Sequence, residues 1–127
     1  MAFKMAIISR EPSGGILAAG YGEATARDFP STAHVHFDAL IGADWARHTV
    51  ILDMDAVSYV DSSAIGWLIQ SQKQFRDAGG MLVLHSVQPH VRDVLKLLKI
   101  QRVVPIARDA TECHQLIQEV LRAKVVA

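Results

Sequence analysis

Short apolar runs alternate along this chain with stretches in which apolar residues recur every three or four positions. Phe3 to Ser9 and Ile16 to Tyr21 read as strands on either side of the turn cluster Pro12-Ser13-Gly14-Gly15, which predicts a β-hairpin. Gly20-Tyr21-Gly22 then reads as a bend. Between Thr25 and Thr32 the pattern breaks, because Pro30 interrupts any early helix. Ala33, Phe37, Leu40 and Ile41 return to helical spacing and predict a first helix ending near Gly42 or Arg47. Thr49-Val50-Ile51-Leu52-Asp53 reads as a buried strand, with a loop from Val57 to Ser62. A second helix follows from Ser62 to Ala78, its apolar face Ile65, Leu68, Ile69 and Phe75, and Gly79-Gly80 stops it. Met81 to His85 is a fourth strand. Pro89 opens a third helix with Val91, Val94, Leu95 and Leu98 on one face. Val103 to Ile106 is a short fifth strand. Asp109 caps a last helix, Glu112 completes a capping-box-like start, and Cys113, Leu116, Ile117, Val120 and Leu121 form its apolar face.

Strand, strand, helix and then three strand–helix units predict an α/β fold. Its sheet is mixed but mostly parallel, has about five strands, starts with the hairpin and is covered by about four helices. Right-handed crossovers place consecutive helices over one face wherever consecutive strands are neighbours. The 127 residues suit a single domain, 1–127, with a substantial core, since half of them are hydrophobic. Thirteen basic residues balance thirteen acidic ones, so the basic footprint of a nucleic-acid binder is missing. Cys113 is the single cysteine, which rules out an internal disulfide and favours a reducing compartment. The segment from Met1 to Ser9 is too short for a signal peptide, and no apolar run reaches the length of a membrane span. A cytoplasmic location, without membrane insertion, is the expectation.

The chemistry concentrates at Asp61-Ser62-Ser63-Ala64-Ile65-Gly66, where a strand gives way to a helix. A helix start offers unpaired N–H groups and partial positive charge. A phosphate added to Ser62 meets that favourable field and also the Asp61 carboxylate, a combination suited to a charge switch. The plainer reading of Asp61 is a helix cap, compatible with the first, and that of Ser62 is a small first-turn residue. Ser63 is the second choice as a phosphorylation site and otherwise a first-turn residue facing the loop. Trp67 lies to the side of the apolar stripe, either as a partly exposed interface anchor beside the serine or as cover for the core edge. Gly66 either permits a close approach of the helix to a strand or partner, or is a tolerated mid-helix glycine.

Val50-Ile51-Leu52-Asp53, Val60-Asp61-Ser62-Ser63-Ala64-Ile65-Gly66, Gly79-Gly80-Met81-Leu82-Val83-Leu84 and Val87 to Leu98 together resemble the STAS domain of bacterial anti-sigma factor antagonists. The resemblance runs from about His48 to Leu121 and extends more faintly over Phe3 to Ile41. It implies a partner-switching module in bacterial signal transduction and transcription regulation. The serine after the motif Asp, here Ser62, is the family's usual phosphorylation site. The kinase is commonly an anti-sigma factor of the histidine-kinase-like ATPase type, and a PP2C-type phosphatase resets the cycle. The resemblance makes Asp61, Ser63, Ala64, Ile65, Gly66, Trp67, Glu23 and Thr25 the phosphosite environment and partner-binding set. One departure stands out. Many members end the second strand in Gly-Glu-x-Asp, whereas this chain has Gly22-Glu23-Ala24-Thr25, a hydroxyl in place of the carboxylate. Asp28 is close in sequence but not in the matching position.

Enzyme readings fare poorly. Asp61-Ser62-Ser63 lacks the glycines of a nucleophile elbow, and no phosphate-binding Gly-x-x-x-x-Gly-Lys loop occurs. His34 and His36 fall on different sides of a helix with no carboxylate or cysteine to complete a metal site, and His85, His90 and His114 read as surface or cap residues. No cofactor is expected. Cys113, on an apolar face, reads as a buried inert thiol. Two competitors to the switch are a non-phosphorylated structural STAS subunit of a signalling or lipid-transport assembly and a small nucleotide-binding protein.

Overall fold

The computed structural model describes residues 2–11, 15–29 and 35–126. Strand β1 (Lys4–Arg10) pairs antiparallel with β2 (Gly15–Ala24). Helix α1 (Val35–Ile41) and a 3-10 turn (Trp45–Arg47) lead into β3 (Thr49–Val60), which lies parallel to β2. Helix α2 (Ser62–Ala78), β4 (Met81–His85), α3 (Pro89–Leu97), a second 3-10 turn (Ile100–Arg102), β5 (Ile106–Ala107) and α4 (Ala110–Val126) complete the chain. The sheet order is β1-β2-β3-β4-β5, and every pairing after the hairpin is parallel. This is the expected α/β architecture, a mostly parallel five-stranded sheet that opens with a hairpin. The predicted hairpin turn at Pro12 to Gly14, Thr32 and the early helical position Ala33 lie outside the described residues.

Strand pleating divides the core in two. Ile16, Ala18, Val50, Leu52, Leu82 and Leu84 point to one face, under α1, α2 and α3. Ile51, Val83 and Ala107 point to the other, where α4 covers them with Cys113, Leu116 and Ile117. Three crossover helices therefore share one face, as right-handed connections between neighbouring strands require, and α4 is the one helix on the opposite face among the described residues.

Several boundaries differ from the sequence reading, each for a local reason. Gly20-Tyr21-Gly22 is not a bend, because β2 runs through it to Ala24. The β2–β3 register slips between Ala19 and Tyr21 and again between Gly22 and Glu23, and Gly22 takes φ 90°, a left-handed conformation suited to such a bulge. The same slips extend β3 past Asp53 to Val60, so the predicted loop from Val57 is strand almost to the helix. Its buried positions Met54, Val57 and Val60 recur every third residue, which hides a strand from a search for period two. Beyond Asp53, β3 has no β4 partner. Side chains serve there instead: Gln88 Nε2 donates to the Asp55 carbonyl at 2.7 Å, His90 Nε2 donates to the Ser58 carbonyl, and Asp53 Oδ1 accepts from the Asp55 N–H at 2.9 Å.

The fifth strand is Ile106–Ala107 rather than Val103 to Ile106. Pro105 lacks an N–H and cannot continue the ladder toward Val103. The backbone of Leu82 is satisfied by a buried side chain: Gln72 Oε1 accepts from Leu82 N–H at 2.9 Å, and Gln72 Nε2 donates to the carbonyls of Leu82 (3.1 Å) and Val103 (3.2 Å). On α3, Val91 and Leu95 are buried, whereas Val94 and Leu98 are exposed, contrary to expectation. Leu98 already caps the helix, Lys99 turns left-handed at φ 58°, and Ile100 enters the core in its place. His85 is buried and shares a hydrogen bond with Ser86 Oγ at 2.9 Å, so it is not a surface residue. Asp109 Oδ1 accepts from Glu112 N–H at 2.9 Å as a cap should, but the Glu112 carboxylate returns to Arg108 rather than to Asp109. Cys113 is fully buried, and that burial pushes its thiol up to about 11.

The α2–β4 turn depends on both glycines. Gly79 ends the helix at φ 90°. Gly80 serves a different purpose, since a Cβ there would run into the carbonyl oxygens of Ala46 and His48.

Candidate functional site

Asp61 is extended backbone between β3 and α2, with φ −109° and ψ −176°, the geometry of an N-cap. Its Oδ1 accepts from the N–H groups of Ser63 at 2.9 Å and Ala64 at 3.1 Å. Its Oδ2 turns the other way and accepts from Ala26 N–H at 2.9 Å. The Asp61 N–H closes the arrangement by donating to the Ala24 carbonyl at 3.1 Å. One carboxylate thus holds the start of α2 against the turn that follows β2.

That turn is itself closed. Asp28 N–H donates to the Thr25 carbonyl at 2.9 Å, and the Asp28 carboxylate accepts from Thr25 N–H at 3.1 Å, with Thr25 Oγ1 at 3.5 Å. The carboxylate missing at position 25 is therefore returned to its neighbourhood by Asp28, three residues on. Sequence matching placed Asp28 out of position, and only the tightness of the turn reveals its role. Arg27 sits in the same turn with its side chain exposed, and the sequence reading did not single it out. The His36 Nε2–H donates to the Asp28 carbonyl at 2.6 Å, which ties the turn to α1. His36 also packs on Phe3, Phe29 and Trp67, so it is a structural histidine; His34 lies outside the described residues.

Ser62, the first residue of α2, is exposed, and Ser63 is half-buried. Glu23 is exposed on β2 and Thr25 is half-buried. The rest of the expected set divides. Ala64 and Ile65 are buried in the core beneath α2. Gly66 makes no close approach: a Cβ there would meet nothing within 4 Å. Trp67 is 4% exposed, which selects the core role over the exposed anchor. Its ring stacks on Phe37 with centroids 5.0 Å apart and lies 4.7 Å from Phe29. Ile69, assigned to the core face, is the residue left outside. The buried stripe of α2 runs through Ala64, Leu68, Ser71, Gln72 and Phe75, and two polar residues within it displaced the apparent apolar face.

The geometry gives a hydroxyl open to solvent on the first turn of a 17-residue helix, next to the carboxylate that caps it. Such a hydroxyl can accept a phosphoryl group without disturbing the core. The helix terminus attracts the added charge, and Asp61 limits that attraction.

Comparison with known proteins bears on the fold and the family. The family model for the STAS domain matches residues 11–113. BtrV of Bordetella bronchiseptica, named as a candidate anti-sigma factor antagonist, is 31% identical over 64 residues, which are 50% of this chain and 55% of BtrV. The match thus spans about half the length of that relative. The crystal structure of a candidate anti-sigma factor antagonist from Thermotoga maritima superposes with a TM-score of 0.70 at 20% identity, covering 87% of this chain and 92% of that one. The anti-sigma factor antagonist SpoIIAA matches in its unphosphorylated form with a TM-score of 0.60 at 16% identity, over 93% of this chain and 96% of its own. The Bacillus SpoIIAA in its phosphorylated form matches at 0.56 and 17% identity, over 93% and 98%. The structural matches share the fold, and the family model covers most of the sequence: the chain belongs to the STAS domain family.

Proposed function

We propose that this protein is a partner-binding switch of the anti-sigma factor antagonist type, acting in the cytoplasm as a single STAS domain over residues 1–127 and not as an enzyme. In this reading Ser62 is phosphorylated by a serine kinase of the histidine-kinase-like ATPase type that is also the anti-sigma factor, and a PP2C-type phosphatase removes the phosphate. The observation that carries it is the exposure of Ser62 on a start of α2 that Asp61 fixes through three backbone N–H groups. The names of BtrV and SpoIIAA support the same reading.

The switch works by local obstruction. Phosphorylation adds about −1.5 to −2 charge at neutral pH. A partner surface packed against the neutral hydroxyl would have to bury that charge and would lose affinity. The fold stays intact, because Ser62 lies outside the core. The test is intact-mass spectrometry with site mapping after incubation with ATP and the neighbouring candidate kinase, followed by binding assays. A single phosphate on Ser62, tight binding by Ser62→Ala and weak binding by Ser62→Asp are expected. No phosphate from a kinase active on another substrate, with both variants binding like wild type, would refute the switch and leave a fixed interface.

A further inference from the structure

Away from Ser62, the topology of the sheet separates the loops that follow β4 and β5. The chain leaves the carboxyl end of β4 toward α3 on one face and leaves the carboxyl end of β5 toward α4 on the other. Neighbouring parallel strands whose connections diverge to opposite faces open a crevice between them, and open α/β sheets bind ligands in such crevices. A cavity of about 290 Å³ lies at that point. Val87, Ile106 and Ala107 give it an apolar side, and Arg92, Lys96 and Arg108 give it a cationic one.

The charges in this cavity are unevenly balanced. Arg108 Nε is paired with Glu112 at 2.8 Å, and Asp109 lies close enough to act on the same guanidinium. Arg92 and Lys96, one turn apart on α3 and so on the same face, have no ion-pair partner among the described residues. The Arg92 Nε is buried without a hydrogen-bond partner among them. That nitrogen is closed to solvent, so an anion in the crevice meets the outer guanidinium nitrogens of Arg92, whose planar pair of donors suits an oxyanion. Lys96 is exposed and hydrated on the same face, so the pair favours a dianion over a monoanion without requiring one.

We infer that this crevice binds a small phosphate monoester with a short apolar body. The dianionic group lies on Arg92 and Lys96, and the apolar body lies against Val87, Ile106 and Ala107. The site stands apart from Ser62 and does not depend on its phosphorylation.

The test is titration of the ¹⁵N-labelled full chain with phenyl phosphate, followed by NMR. Saturable shifts of the Val87, Ala107 and Arg108 amides are expected, with affinity weakened about tenfold or more in Arg92→Gln and in Lys96→Gln. Lys96 is exposed, so its variant reports on binding even where Arg92→Gln perturbs the fold. Phenylacetate, a monoanion of similar shape, and inorganic phosphate, which lacks the apolar body, should each bind at least tenfold more weakly. Non-saturating shifts, or affinity unchanged from wild type in both variants, would overturn the site. Equal binding of phenylacetate or of inorganic phosphate would overturn the assignment of its ligand.

Discussion

Replacing Asp61 tests whether one side chain holds the site together. Its carboxylate accepts from Ser63 and Ala64 on one side and from Ala26 on the other. Loss of an N-cap costs about 1 kcal/mol, within a range of roughly 0.5–2. The Ala26 contact is exposed, and its N–H can turn to water, so it adds about 0.5–1 kcal/mol rather than the larger value of a charged bond in the interior. Asp61→Ala should therefore lose roughly 1.5–2 kcal/mol. At about 4 °C per kcal/mol for a domain of this size, the melting temperature should fall by roughly 6–8 °C. Asp61→Asn separates the two roles. Asparagine caps nearly as well through its carbonyl oxygen, but its amide group would present a donor to the Ala26 donor. That variant should lose only about 2–4 °C, while the Ala26 amide exchanges hydrogen markedly faster. Thermal and urea melts with amide exchange decide the matter. An unchanged melt in Asp61→Ala would refute the cap. Equal destabilisation by the two variants would also refute the cap, whereas an unchanged melt in Asp61→Asn, or unchanged exchange at Ala26, would refute the tether between β2 and α2.

Other expectations follow from the packing. Gly80→Ala should destabilise by about 1–3 kcal/mol or more in a urea melt, because its Cβ meets backbone oxygens that cannot yield cheaply. Gly66→Ala should stabilise by about 0.5–1 kcal/mol, since it adds helix propensity in open space; a loss instead would mean that the α2 surface at Gly66 is packed. Gln72→Leu should cost about 2–5 kcal/mol, for it strands the buried N–H and carbonyl of Leu82, and a neutral outcome would disprove that role. Cys113 should resist alkylation at pH 8 in the folded protein. Its thiol titrates near 9.0 when unfolded but near 11 when folded, so ionisation favours the unfolded chain as pH rises. Stability is therefore full below pH 9 and declines between 9 and 11, and Cys113→Ser should remove that part of the decline.

Much of the fold is legible where local chemistry is unambiguous. Asp61 before an apolar stripe and Gly79-Gly80 after it bound α2 from Ser62 to Ala78, and the run Met81–His85 is β4. Some misreadings arise where side chains stand in for backbone partners. Gln72 is polar yet buried because it completes β4 where Pro105 prevents β5 from doing so, and with Ser71 it displaces the apparent apolar stripe enough to misplace Ile69 and to leave Trp67 undecided. The β2–β3 bulges break the alternation that would have revealed β3 past Asp53. At the site, the cap could be read from sequence. The return of Asp28 onto Thr25 and the reach of Asp61 to Ala26 could not, since both depend on how the turn after β2 closes.

The unpaired length of β3 bears on solubility. A strand edge that presents open donors and acceptors invites another chain to add to it, the first step of sheet-to-sheet aggregation. Here the exposed stretch is blunted by three local bonds. Asp53 occupies the Asp55 donor, Gln88 its acceptor, and His90 the acceptor of Ser58. Two of these guards come from the beginning of α3, so docking of that helix also protects the edge. Fraying of α3 would expose a ready template beside Tyr59, a half-exposed aromatic residue, and colloidal stability would fail before the core melted.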